Sequence, residues 1–159
     1  MALVKGVNSY VDVDEADAYF QDRLDVAAWV DAEEAQKAQA LVTATSILDD
    51  LSWNGTAISE DQFLAFPRAG SYFDPRIGAL ITLSESDPPD RVNRAVMELA
   101  YHLLNNDGIQ DDTGGVRDLV VGSAQLIHIT APSVIPFNVR RMIKPLLINQ
   151  GSHAWWRAN

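Results

Sequence analysis

Between Ala32 and Leu51 the residues Ala38, Leu41, Val42, Thr45, Leu48 and Leu51 recur three and four apart, while Glu33, Lys37 and Asp50 hold the opposite side. That spacing is the period of an amphipathic α-helix, and an apolar stripe of such length has to be covered by other parts of the chain. Asp31 with Glu34 three residues on predicts the N-cap, giving a helix over 32–51. Trp53-Asn54-Gly55 closes it, because glycine takes the left-handed conformation that ends helices.

The remaining chain supplies the cover. Val7–Val11 is short and β-prone; Asp12 with Glu15 then forms an acidic capping box, and Ala16, Tyr19, Phe20 and Leu24 follow at helical spacing, which predicts a helix over 13–23. In residues 56–86, Pro67, Gly70, Pro75 and Gly78 punctuate Phe63, Leu64, Phe66, Tyr72 and Phe73, the pattern of a loop packed by its own aromatics. Asp87, with Pro88 and Pro89 in the first turn, opens a helix whose buried stripe is Val92, Val96, Leu99 and Leu103. Asp90, Arg94, Glu98 and His102 lie four apart on another of its faces. Two β-branched stretches, Asp118–Val121 and Gln125–Ile129, flank Gly122-Ser123-Ala124 and predict a hairpin or two short paired strands. A last helix carries Val139, Met142, Ile143, Leu146 and Leu147, and Pro145 should kink or shorten it.

The architecture expected from these elements is mainly α: a small bundle of about four to five helices with a short β-hairpin element and an extended C-terminal tail. A chain of 159 residues suits one domain, here a helical domain over 1–148 followed by a docking tail over 149–159, where periodicity stops. Met1–Gly6 contains no apolar run of signal-peptide length, and no stretch approaches the roughly 20 apolar residues of a membrane helix. A domain made in the cytoplasm, with no membrane partner, is expected.

Several kinds of chemistry lack their residues. The chain has no cysteine, which removes disulfides, thiolate metal sites and cysteine nucleophiles. His102, His128 and His153 fall in three different elements. Glu98 and His102 are one helical turn apart, yet no third ligand follows at a fixed spacing. Asp112-Thr113-Gly114 repeats the short motif of aspartic proteases without the apolar strand that must precede it, so a loop is the simpler reading. No serine stands in a nucleophile elbow, and no phosphate-cradling glycine-lysine loop is present. The expectation is a protein that is not an enzyme, with no catalytic residue, no metal and no cofactor.

Charge and aromatic placement point instead to contacts. Acids outnumber Lys and Arg 22 to 12, the wrong balance for a protein that grips nucleic acid by neutralising phosphates. The acids crowd the front, whereas beyond Asp118 only Arg140, Arg141, Lys144 and Arg157 carry charge. An acidic front and a basic end suit head-to-tail contacts between copies or docking on an acidic partner. Trp155-Trp156-Arg157 brings together residue types that dominate interface hot spots. Arg140, Arg141, Lys144, His153, Trp155, Trp156 and Arg157 are therefore the candidate partner anchor, and the acidic, glycine-rich run Asp111, Asp112, Thr113, Gly114 and Gly115 is a second candidate contact loop.

Ser9-Tyr10-Val11 running into Glu15–Phe20, the helix ending Ala44–Asp49, and above all Trp53-Asn54-Gly55 followed by Gln62-Phe63-Leu64-Ala65-Phe66-Pro67-Arg68 carry a resemblance. The Pro89–Leu104 helix, Val121-Gly122 and Val139–Leu147 continue it in order, so that it covers most of residues 9–148. The chain resembles the head-to-tail connector, or adaptor, proteins of tailed bacteriophages, a family that also carries a DnaT-like single-stranded-DNA-binding label. The resemblance implies a virion protein of the neck, assembled in the host cytoplasm, that forms a ring, typically a dodecamer, beneath the portal protein. Such a ring extends the DNA channel, lets double-stranded DNA pass without specific binding, and presents a surface to tail or nozzle proteins. The Asp111–Gly115 loop would face the channel or tail, and the basic-aromatic end would hold the portal. The alternative is a single-stranded-DNA-binding replication accessory, in which the same basic-aromatic end stacks bases.

Overall fold

Asp12 sits in extended conformation and accepts from the backbone N–H of Glu15, whose own carboxylate accepts from the Asp12 N–H; this closed capping box starts α1 (Val13–Gln21). The computed structural model describes residues 2–105, 118–121, 124–127 and 135–148, with backbone alone for the two segments between 118 and 127. After α1 come a single-turn helix α2 (Ala27–Val30) and the long α3 (Glu34–Asp49). The short strands β1 (Thr56–Ala57), β2 (Arg68–Ala69), β3 (Ser71–Asp74) and β4 (Ala79–Thr82) follow, then α4 (Asp90–Leu104). Strands β5 (Asp118–Val121) and β6 (Ala124–Ile127), α5 (Phe137–Ile143) and a 3-10 turn over Lys144–Leu146 complete the described chain.

The core lies where α3, α4 and α5 meet. Leu41, Ala44 and Leu48 of α3, Val92, Val96 and Leu99 of α4, and Val139 and Ile143 of α5 are all buried. Burial of this apolar surface, at about 25 cal/mol per Å2, is the main force holding the three helices together. Phe20 of α1 packs on Trp29 of α2 at 4.7 Å between ring centroids and on Tyr101 of α4 at 5.8 Å, which ties the acidic front to the core.

The mainly α expectation is corrected by the strands. Among the described residues there are three two-stranded antiparallel pairs, β1–β2, β3–β4 and β5–β6, so the fold is mixed α/β. Two of the pairs lie in the stretch whose sequence reads as an aromatic loop. In β3 the side chains alternate, Tyr72 and Asp74 inward, Ser71 and Phe73 outward, and the register sets Tyr72 opposite Ile81 and Phe73 opposite Leu80. Two- to four-residue strands between prolines and glycines leave too few alternations for a periodic signal. The β5–β6 pair, by contrast, forms where the sequence predicts paired strands, except that Ala124, expected between them, is already in β6 opposite Val121.

Helix starts moved for identifiable reasons. Asp31 is the C-cap of α2, and α3 is instead capped by Glu33, whose carboxylate and the Gln36 side chain close the box. Leu24 falls beyond α1 and is almost fully exposed. Asp87 and Pro88 each precede a proline, which disfavours helical backbone, so α4 begins only after Pro89. At the other end α5 stops at Ile143 and Pro145 sits inside the 3-10 turn, as its missing N–H requires. No described helix is long and apolar enough to cross a membrane.

Candidate functional site

The motif that carries the family resemblance is a folding device. Arg68 threads its guanidinium into a ring of backbone carbonyls, donating to Asn54 O at 3.0 Å, Gly55 O at 2.6 Å and Ala65 O at 3.2 Å. Gln62 accepts from the N–H groups of Ile58 and Ser59 and donates to Leu64 O and Pro67 O, so its one amide closes the loop around itself. Phe66 lies edge-on to Tyr10 and to Trp53, and the Trp53 indole N–H donates to Leu48 O at 3.0 Å. Gly55 holds φ at +80°, and a Cβ there would come within 2.3 Å of Ala69 O. Trp53, Gly55, Gln62, Phe66 and Arg68 thus latch strands β1 and β2 to the end of α3.

The buried ionisable groups are consumed in the same way. Glu98, one of the four residues the sequence puts on an outer face of α4, is buried; it accepts from Tyr19 Oη at 2.6 Å and from Asn138 at 3.4 Å and pairs with Arg23, joining α1, α4 and α5. Burial and then the Glu98 carboxylate push the Tyr19 hydroxyl up to about 12. Asp74 is gripped by Arg91 through two contacts, 2.7 and 3.2 Å, and accepts from the Arg76 N–H; the Arg91 hydrogen bonds hold its carboxyl down to about 2. Arg91 also donates to Met142 O, which pins the β3–β4 hairpin to α4 and α5. Asp49 accepts from Tyr10 Oη and the Ala65 N–H; burial raises the pKa of both side chains. Each of these acids has its oxygens occupied by fixed internal donors, the geometry of a structural staple and not of a poised acid or base. Among the described residues no three His, Asp or Glu side chains converge as metal ligands.

Arg140, Arg141 and Lys144 are exposed, and with the highly exposed Phe137 they fall at the i, i+3, i+4 and i+7 positions of α5 and its 3-10 extension, one face of cations and one ring. Val139, Ile143 and Leu146 turn the opposite way into the core. The structure therefore brings three of the sequence-predicted anchor residues together. His153, Trp155, Trp156 and Arg157, and the loop residues Asp111, Asp112, Thr113, Gly114 and Gly115, lie outside the described residues. At the front of the molecule a groove of about 760 Å3 runs between the starts of α1 and α3, walled by Asp12, Asp14, Glu33 and Glu34 over Leu3 and Val13. A second groove, of about 620 Å3, opens between the β3–β4 hairpin and the 3-10 turn; Phe73, Leu80 and Ile148, each more than half exposed, border it. No periodic signal announces this apolar rim, because Phe73 and Leu80 lie in strands too short to show which side they face.

Fold and site geometry together define a small mixed α/β protein whose buried polar groups tie its elements together. The chain belongs to the family described as "Putative DnaT-like ssDNA binding protein", which it matches over residues 2–157. No curated protein and no solved structure matches it. The match supplies the DnaT-like half of the resemblance drawn from the sequence, and the bacteriophage-connector half has no support in it.

Proposed function

We propose that this chain acts as an assembly module, a head-to-tail adaptor of a virion, fitting protein neighbours together and performing no chemistry. The observation that carries the reading is the separation of charge on the described surface: an acid-walled groove at one place and the Phe137, Arg140, Arg141 and Lys144 face at another. Two unlike complementary patches on one subunit generate a heterologous contact, which closes into a ring when the rotation allows. On this reading the neighbours are further copies in a ring of typically twelve, the portal protein on one side, and tail or nozzle proteins on the other. The surplus of acids over bases keeps passing double-stranded DNA from adhering, since carboxylate repels phosphate. The portal anchor comprises Arg140, Arg141 and Lys144 with the tail residues His153, Trp155, Trp156 and Arg157, and the Asp111–Gly115 loop faces channel or tail.

A second reading, single-stranded-DNA binding in replication, draws more direct support from the family description. The α5 face favours it too, because an exposed ring beside three cations is the raw material of a base-stacking platform. Weighing against it, the surplus of acids over bases opposes a polyanion, and Arg140, Arg141 and Lys144 span only one short helical face. The two readings part on what the C-terminal end captures. Mixed with purified portal and imaged by electron microscopy, the full chain is expected to add a ring of density at the portal, and the chain lacking residues 150–159 is expected to remain folded but add none. Bare portals with the full chain would contradict the adaptor reading.

A further inference from the structure

We infer that the outer edge of β4 is where two copies of this chain meet, β4 of one pairing antiparallel with β4 of the other about a two-fold axis at Ile81. The inference concerns the chain before any other protein is bound, stands apart from the adaptor reading, and uses none of the residues placed in the portal anchor. The hairpin register decides which backbone groups are left over. Leu83 N–H donates to Gly70 O at 2.9 Å, and these two residues stand opposite each other when the β3–β4 register is continued by one position. Hydrogen-bonded pairs alternate along an antiparallel ladder, so Tyr72–Ile81 and Asp74–Ala79 bond across the hairpin, whereas the N–H and C=O groups of Leu80 and Thr82 point away from β3. Among the described residues no hydrogen bond from outside the hairpin reaches Leu80 or Thr82, and both are exposed. Folded proteins guard such an edge with a charge, a proline or a bulge. Ile77–Ser84 has neither charge nor proline, and the register runs through β4 without a bulge. Leu80 is 71% exposed, and Phe73 beside it on the outer face is 56% exposed.

A second β4 fits this edge. With Ile81 opposite its own copy, Leu80 meets Thr82 of the second copy and Thr82 meets its Leu80. Each of these pairs exchanges both N–H to O bonds, and the two hairpins become one four-stranded sheet. A two-stranded hairpin is marginal alone, and widening it puts Phe73 and Leu80 of both copies on one shared apolar face. Continued outward, the same register brings Arg76 of each copy opposite Ser86 of the other, between Glu85 and Asp87. Arg76, Glu85 and Asp87 are all exposed, so opposite charges close both ends of the pairing. The uncharged middle sets no like charges together, although each chain carries a formal charge of -10. A strand of unrelated sequence would gain the backbone bonds without this charge match, which is why the occupant is a second copy.

Sedimentation velocity and amide exchange of the full chain test this. A monomer–dimer equilibrium is expected, with the Leu80 and Thr82 amides protected only as dimer forms and the Ile81 and Leu83 amides protected throughout. Thr82→Pro removes an outward donor and no bond to β3, so it should weaken the dimer about tenfold or more. Should Thr82→Pro lose its cooperative melt, Leu80→Lys, which charges the edge, carries the same comparison. Arg76→Glu should also weaken the dimer, and Arg76→Glu combined with Glu85→Arg should restore it. Phe63→Lys, at an exposed apolar site outside the hairpin, should leave it unchanged. A chain monomeric up to about 1 mM, or a dimer indifferent to the edge variants, would overturn the inference. Protection of the Leu80 and Thr82 amides at every concentration would place the cover within one chain and overturn it too. A loss on Arg76→Glu that the charge swap does not restore would overturn the two-fold register.

Discussion

Phe66 is the side chain on which the latch between strands and helices turns, since it meets Tyr10 and Trp53 edge-on and its N–H donates to Tyr10 Oη. Phe66→Ala should cost about 3–5 kcal/mol, the usual loss for an emptied aromatic site, and appear as a lowered melting temperature with the fold otherwise kept. An unchanged melt would mean that the aromatic block is not part of the core. Asp74 gives a pH test. Its folded pKa, about 2, lies below the ordinary 3.8 because Arg91 holds the ionised form. The stabilisation is therefore complete above the ordinary value and drains away as pH falls from 3.8 toward 2. Asp49 is shifted the other way by burial, so acid affects it with opposite sign. Comparing urea midpoints of the unmodified chain and Asp74→Asn isolates the effect: the gap between them should narrow across that window, and a constant gap would refute the assignment.

Among the elements, β1–β2 depends on a single backbone conformation. Gly55→Ala would force a side chain into the left-handed region and against Ala69 O, so a loss of about 1–3 kcal/mol and faster amide exchange over residues 55–70 are expected. Exchange identical to the unmodified chain would show that the latch does not need glycine. The elements legible in the sequence were those whose signals are local and repeated. The capping box of α1, the stripes of α3 and α4, the break at Pro145 and the β5–β6 pairing each declare themselves within a few residues. What escaped notice depends on distant partners. The outward Phe73 and Leu80 are fixed by a cross-strand register, and Glu98 is buried because Tyr19, Arg23 and Asn138 arrive from other elements. Of the candidate anchor, the α5 cations were readable as a cluster, but that Phe137 joins their face required knowing where α5 begins.

At the scale of the molecule, the fold ties Glu98, Asp74 and Asp49 into internal hydrogen bonds, while acids wall the groove at the starts of α1 and α3 and Arg140, Arg141 and Lys144 stand exposed on α5 and its 3-10 extension. On the proposed reading that distribution suits protein neighbours of opposite sign, and the surplus of acids over bases disfavours a polyanion. The most direct measurement is a fluorescence anisotropy titration with a labelled single-stranded oligonucleotide at several salt concentrations. The account predicts no saturable binding at micromolar protein and physiological salt. Micromolar binding that weakens steeply as salt rises would contradict it and establish the chain as a single-strand binder.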